Sequence, residues 1–136
     1  MKNNIVIMNF SGVYEVQGLK AVLEAGKQII ILFPSWTART FRGLTAIVIA
    51  WQRKRSKKRI VPFGPEGLHF LDSGNYHYLT KLWLELVKEP FELLVFDHHT
   101  DMQRPAFGGI LSCGGWIREA LETNEKFKTC NSGGTT

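Results

Sequence analysis

Apolar residues recur along this chain in two rhythms, short continuous runs and stripes at helical spacing, and the two alternate. The runs at 5–8, 28–33, 68–71 and 91–96 have the length and the β-branched or aromatic content of strands. Between them Val16, Leu19, Val22 and Leu23 fall on one helical face ahead of Gly26, where a left-handed cap carries no Cβ penalty. Leu79, Leu82, Trp83, Leu86 and Val87 repeat at i, i+3, i+4, i+7 and i+8. That spacing predicts a helix over 79–88 with its apolar stripe on a sheet, ended by Pro90. Trp116, Ile117, Ala120 and Leu121 predict one more short helix. Strands alternating with helices imply an α/β fold with a mainly parallel sheet.

Residues 35–65 carry mixed signals. Phe41, Leu44, Val48 and Trp51 suit a helix, whereas Ile47, Val48 and Ile49 suit a strand; the cationic run directly after them favours a helix, because positive charge is stabilising at a helix carboxyl end. Pro62, Gly64, Pro65 and Gly67 then break the chain into a loop. Past Glu122 the sequence turns polar, and 130–136 reads as disordered. The expected organisation is one α/β domain over 1–122 and a polar tail over 123–136.

With 136 residues, 44% of them hydrophobic, the chain is one domain's worth and can bury a core. Its longest apolar stretches fall well short of the roughly 20 residues that span a bilayer. The opening residues 1–4 lead into a brief apolar run without a small-residue cleavage site, so no secretory signal is expected and the expected compartment is the cytoplasm. Two cysteines, Cys113 and Cys130, make no disulfide framework and no C-x-x-C zinc pair. The net charge of +5 suggests nucleic acid at first sight, but residues 53–59 supply six of the 17 cations and leave 11 against 12 carboxylates elsewhere. No aromatic interleaving or recognition helix accompanies that run, so a solvated helix end is the simpler reading.

The chemistry concentrates where the run 92–96 ends in Asp97-His98-His99-Thr100-Asp101. The run reads as an interior strand, and in open α/β sheets ligands gather in the crevice beyond the strand carboxyl ends. Asp97, His99 and Asp101 alternate, so an extended segment would point all three toward one divalent metal ion. His77 occupies the equivalent place after the preceding strand, and parallel neighbours lie only about 4.8 Å apart. His77, Asp97, His99 and Asp101 form a nitrogen and oxygen set without sulfur, suited to manganese or a similar cation rather than to structural zinc.

Asp97-His98-His99-Thr100-Asp101 resembles the D-x-H-x-D metal motif of the arginase and agmatinase (ureohydrolase) superfamily, and Ser73-Gly74-Asn75-Tyr76-His77 is similar to its earlier glycine-containing histidine loop. The resemblance covers about 67–121, and more weakly 5–14. It implies a three-layer α/β fold with helices on both faces of the sheet, and two Mn2+ ions bridged by a hydroxide that attacks an amidine or guanidinium carbon. Carried over residue by residue, it implies His77 and Asp101 on one ion, His99 on the other and Asp97 between them, with glycines near Gly108 and Gly114 letting loops crowd the site. The implied activity is metal-dependent hydrolysis of a linear, non-peptide carbon–nitrogen bond in a small-molecule substrate.

Departures from the family pattern are definite. Tyr76 stands where the family has an aspartate, His98 where it has a small residue, and no later D-x-D follows Ala120. The expected fold is therefore incomplete at its C-terminal side, as in a truncated, inactive chain. His98 is expected to pack or hydrogen-bond beside the ligands, and Asn75 and Ser112 to touch substrate; no general base is identifiable. A non-catalytic α/β scaffold and a basic-patch binding module are the alternatives, and homo-oligomerisation stays open. His69 is expected to be structural with one nitrogen satisfied, and Trp83 and Trp116 to be core residues.

Overall fold

A computed structural model describes residues 5–9, 11–16, 28–32, 47–48, 50–105 and 110–133. The mixed α/β character read from the alternation is what it shows. Strand β1 (Ile5–Asn9) lies between β2 (Gln28–Leu32) and β4 (Leu68–Leu71), parallel to both, with Ile5 opposite Gln28 on one side and Leu68 on the other. Val6, Ile7 and Met8 are buried on both faces, as an unbroken apolar run in a central parallel strand requires. The crossover helix expected over 16–23 lies largely outside the described residues; a single turn, α1 (Val13–Val16), is described at its start.

Within 35–65 the structure departs from the expectation. Ile47–Val48 form β3, antiparallel to β6 (Leu111–Ser112), and the helix α2 (Ala50–Ile60) begins after it and contains the basic run. Long-stemmed Arg and Lys are good helix formers and continue the helix rather than cap it. The cations also have partners. Arg53 and Lys57, one turn apart on α2, reach Glu85 at 2.6 and 2.7 Å, and Arg53 reaches Glu119 at 2.6 Å.

The expected helix over 79–88 is divided. A 3-10 turn over Gly74–Leu79 passes into α3 (Thr80–Leu84), and the chain then tightens through Leu86 N–H to Trp83 O and Val87 N–H to Leu84 O. Leu79, Leu82 and Trp83 of the stripe are nonetheless buried in the core with Ile60, Leu111 and Ile117. Helix α4 (Trp116–Thr123) adds Trp116, Ile117 and Ala120 to it, as the spacing implied.

Two further corrections concern the C-terminal side. Strand β5 (Phe91–Phe96) is not interior: Phe91, Leu93 and Val95 turn inward, while Glu92, Leu94 and Phe96 are exposed, Phe96 by 82%. And Phe127–Gly133, expected as polar tail with disorder from 130 on, is a strand, β7, parallel to β5. Two local devices start it. Asn124 caps the turn, accepting from Lys126 N–H and donating to Leu84 O, and the Phe127 ring stacks on Phe91 at 5.1 Å. Backbone pairing then carries a polar sequence that has little strand propensity of its own. Among the described residues no helix is long and apolar enough to cross a membrane.

Candidate metal centre

Three loops meet beyond the carboxyl ends of β4 and β5. The first is the 3-10 turn bearing His77, the second is the segment 97–103, and the third is the turn 112–116 between β6 and α4. His77, Asp97 and Asp101 each place one ligand atom within 4.8 Å of the others. His77 Nε2 lies 2.9 Å from Asp101 Oδ2 and 3.0 Å from the Cys113 carbonyl oxygen. On the other side of its ring, His77 Nδ1 bonds the Gly74 carbonyl. Both ring nitrogens thus face oxygen acceptors, Nδ1 the Gly74 carbonyl and Nε2 the Cys113 carbonyl and the Asp101 carboxylate, so a cation at Nε2 would take the place of a proton there.

Asp101 is the buried member, 4% exposed, and its backbone sits at φ 49°. Aspartate is among the few side chains that adopt this left-handed conformation at modest cost. The segment 97–101 is therefore not extended as expected: it bends at His98 and His99 and reverses at Asp101, so Asp97 and Asp101 converge through a turn rather than through strand alternation. Asp97 is about one-third exposed. Its carboxyl is held below the ordinary range, chiefly by the His99 backbone N–H at 3.0 Å, against an opposing effect of burial and with help from the His77 and His99 rings and the His98 amide.

His99 stands apart from the other three expected donors. Its side chain is 81% exposed, with Nδ1 3.7 Å from Asp97 Oδ1, on the solvent side of that carboxylate. His98 and Asn75 are exposed, and Ser112 is half-buried in β6, its carbonyl accepting from Gly115 N–H. Tyr76, at the position where the family pattern has an acid, is buried in the hydrophobic core and so offers the site no carboxylate. Gly108 lies outside the described residues. Gly114 does let a loop approach: a Cβ there would meet Gln103 Oε1 at 2.7 Å, and one on Gly115 would meet the Gln103 carbonyl oxygen at 2.8 Å.

Trp116, read from its spacing as a core residue, is buried but also donates its indole N–H to Asp101 Oδ2 at 2.6 Å. Nothing in the spacing signals this, because an apolar stripe looks the same whether or not an indole nitrogen finds an acceptor. His69, expected to be structural, lies in β4. It stacks on Trp83 at 3.9 Å, and its Nε2 is buried with no hydrogen-bond partner, as is Trp83 Nε1.

As a donor set, one imidazole nitrogen and two carboxylates from different loops fit a borderline-hard divalent cation. Two carboxylates converging with an imidazole supply the donor atoms and charge that attract such an ion.

The chain is similar to a protein of Thermotoga maritima described as "Uncharacterized protein", with 30% identity over 125 residues. The match takes in 92% of this chain and 46% of that protein, so the chain spans about half the length of the curated relative it matches. No family model matches the sequence. No solved structure matches it.

Proposed function

We propose that this chain carries the metal-binding half of an arginase-like hydrolase, a three-layer α/β domain acting on linear carbon–nitrogen bonds of amidine or guanidinium substrates. One observation carries the reading. Three donors of the expected types, from two loops separated by a whole βα unit, come within 4.8 Å of one another beyond the carboxyl ends of β4 and β5, which are not the parallel neighbours expected but belong to different sheets.

In this reading His77, Asp97 and Asp101 would hold Mn2+, and the outlying His99 would be the donor nearest a second ion. A bound divalent cation supplies a water acidic enough to act as a nucleophile near neutral pH and steadies charge at the attacked carbon. The chain's own residues do the rest. The Gly74 carbonyl orients the His77 ring through Nδ1, and the buried Asp101 anchors the inner side of the site. Asp97, ionised through the His99 amide, keeps negative charge at the mouth, which favours a cationic guanidinium or amidine over a neutral amide. The exposed His98 and His99 flank that mouth. The basic-patch alternative has less support, since Arg53 and Lys57 turn inward onto Glu85 and Glu119.

The test is metal content by mass spectrometry after purification in Mn2+, paired with urea release from arginine and agmatine. We expect bound manganese. Metal with turnover supports the whole reading, metal without turnover retains the site and removes the hydrolase, and absence of metal at millimolar Mn2+ removes both.

A further inference from the structure

We infer that Trp116 is a positioning residue of the metal centre, holding Asp101 in its ligating pose through the indole N–H; the inference rests on the metal reading above. Trp116 touches both of the donors that would share the inner cation. Its Nε1–H donates to Asp101 Oδ2 at 2.6 Å, and its ring meets His77 edge-on with centroids 6.3 Å apart. Asp101 has no rotational freedom to spare in this setting. Its carbonyl oxygen accepts from Arg118 N–H at 3.4 Å, in the first turn of the same helix, and its side chain is buried. Helix α4 therefore grips Asp101 at both backbone and carboxylate.

The grip is itself braced. Gln103 N–H donates to Gly114 O at 2.9 Å, and the Gln103 carbonyl fills the space where a side chain at Gly115 would stand, immediately before Trp116. The 101–103 segment and the 112–116 turn are thus fastened side by side, which fixes the indole relative to the carboxylate. Core packing alone does not explain the bond, because Trp83, buried to the same degree, leaves its own Nε1–H without a partner. A neutral donor on Oδ2 holds the carboxylate plane without cancelling its charge, as outer hydrogen bonds do for metal-binding carboxylates.

The test compares wild-type protein with Trp116→Phe and Trp83→Phe, titrated with Mn2+ and with Co2+, whose visible absorption reports ligand geometry. Trp116→Phe is expected to weaken metal affinity by about 10- to 100-fold and to alter the Co2+ spectrum, whereas Trp83→Phe, losing an unbonded N–H, leaves both as in wild type. Metal addition is also expected to change tryptophan emission in the wild type and in Trp83→Phe, and to leave it unchanged in Trp116→Phe. If Trp116→Phe fails to fold, 3-benzothienylalanine at position 116, which keeps the bicyclic shape but replaces N–H by sulfur, makes the same comparison. Equal metal affinity and equal Co2+ spectra in wild type and the N–H-less variants overturn the inference. A wild-type protein that takes up neither ion overturns the metal reading instead.

Discussion

Asp101 gathers more of this site's constraints than any other residue: buried, at positive φ, bonded by Trp116 and 2.9 Å from His77 Nε2. Its type answers each constraint, since aspartate tolerates the left-handed turn, accepts the indole proton and carries the charge a cation needs. Asparagine shares the first two properties and lacks the third. Asp101→Asn is therefore expected to leave thermal stability within a few degrees of wild type while lowering metal affinity by about 100-fold or more, beyond the usual cost of losing a supporting hydrogen bond. Calorimetric titration with Mn2+ measures it, and an unchanged affinity would remove Asp101 from the ligand set. The residue types at 77, 97 and 101 were legible in the sequence. The outward placement of His99 was not, because alternation predicts direction only where the backbone is extended, and a turn at 98–99 breaks that premise.

At the scale of elements, the site depends on two loops running at backbone contact distance. Gly115 is the point of closest approach, and its φ of −132° is one any residue adopts, so only the space matters. Gly115→Ala would place a methyl 2.8 Å from the Gln103 carbonyl oxygen, which belongs to backbone and cannot swing aside. The expected outcome is a loss of about 1–3 kcal/mol in urea unfolding, as for overpacked sites, with weaker metal binding as residues 101–103 shift. Wild-type stability in this variant would show that the loops have room to part. The same scale explains why the basic run lies within α2 rather than after it. A cationic run is consistent both with a helix end and with a helix face, and only the arrival of Glu85, just past α3, and Glu119 of α4 distinguishes them.

Across the whole molecule, those two acids hold three helices together around Lys81, which is 1% exposed and lies 2.7 Å from Glu85 and 3.5 Å from Glu119. Burial by itself would raise the Glu85 carboxyl, but hydrogen bonds from Lys57, Lys81 and Arg53 hold it down at about 2, against 4.5 for a free side chain. A carboxylate depressed on folding contributes stability that is complete above pH 4.5 and is lost as pH falls toward 2, here on the order of 3 kcal/mol. His69 adds a second, milder window. Burial lowers its pKa from 6.5, so the unfolded chain takes up the proton first and stability declines as pH drops below 6.5. Urea denaturation between pH 7.5 and 3 is expected to show both declines. Glu85→Gln should flatten the lower one and His69→Phe the upper one, the latter at little cost because the lost Nε2 is unbonded. Unchanged pH profiles in these variants would deny the two groups that role.

The alternation of runs and stripes by itself determined the α/β class, the β1, β4 and β5 strands and the α4 helix, because burial of a periodic apolar face is a local property with a strong signal. It also located the two loops where His77 and the 97–101 cluster stand. Only the tertiary structure decided that β5 has an open face, that the polar stretch 127–133 is a strand and that Arg53 and Lys57 of the basic run are paired. Only it brought Trp116 onto Asp101. Each of these outcomes depends on partners distant in the chain, whose hydrogen bonds and charges no spacing along a single sequence encodes.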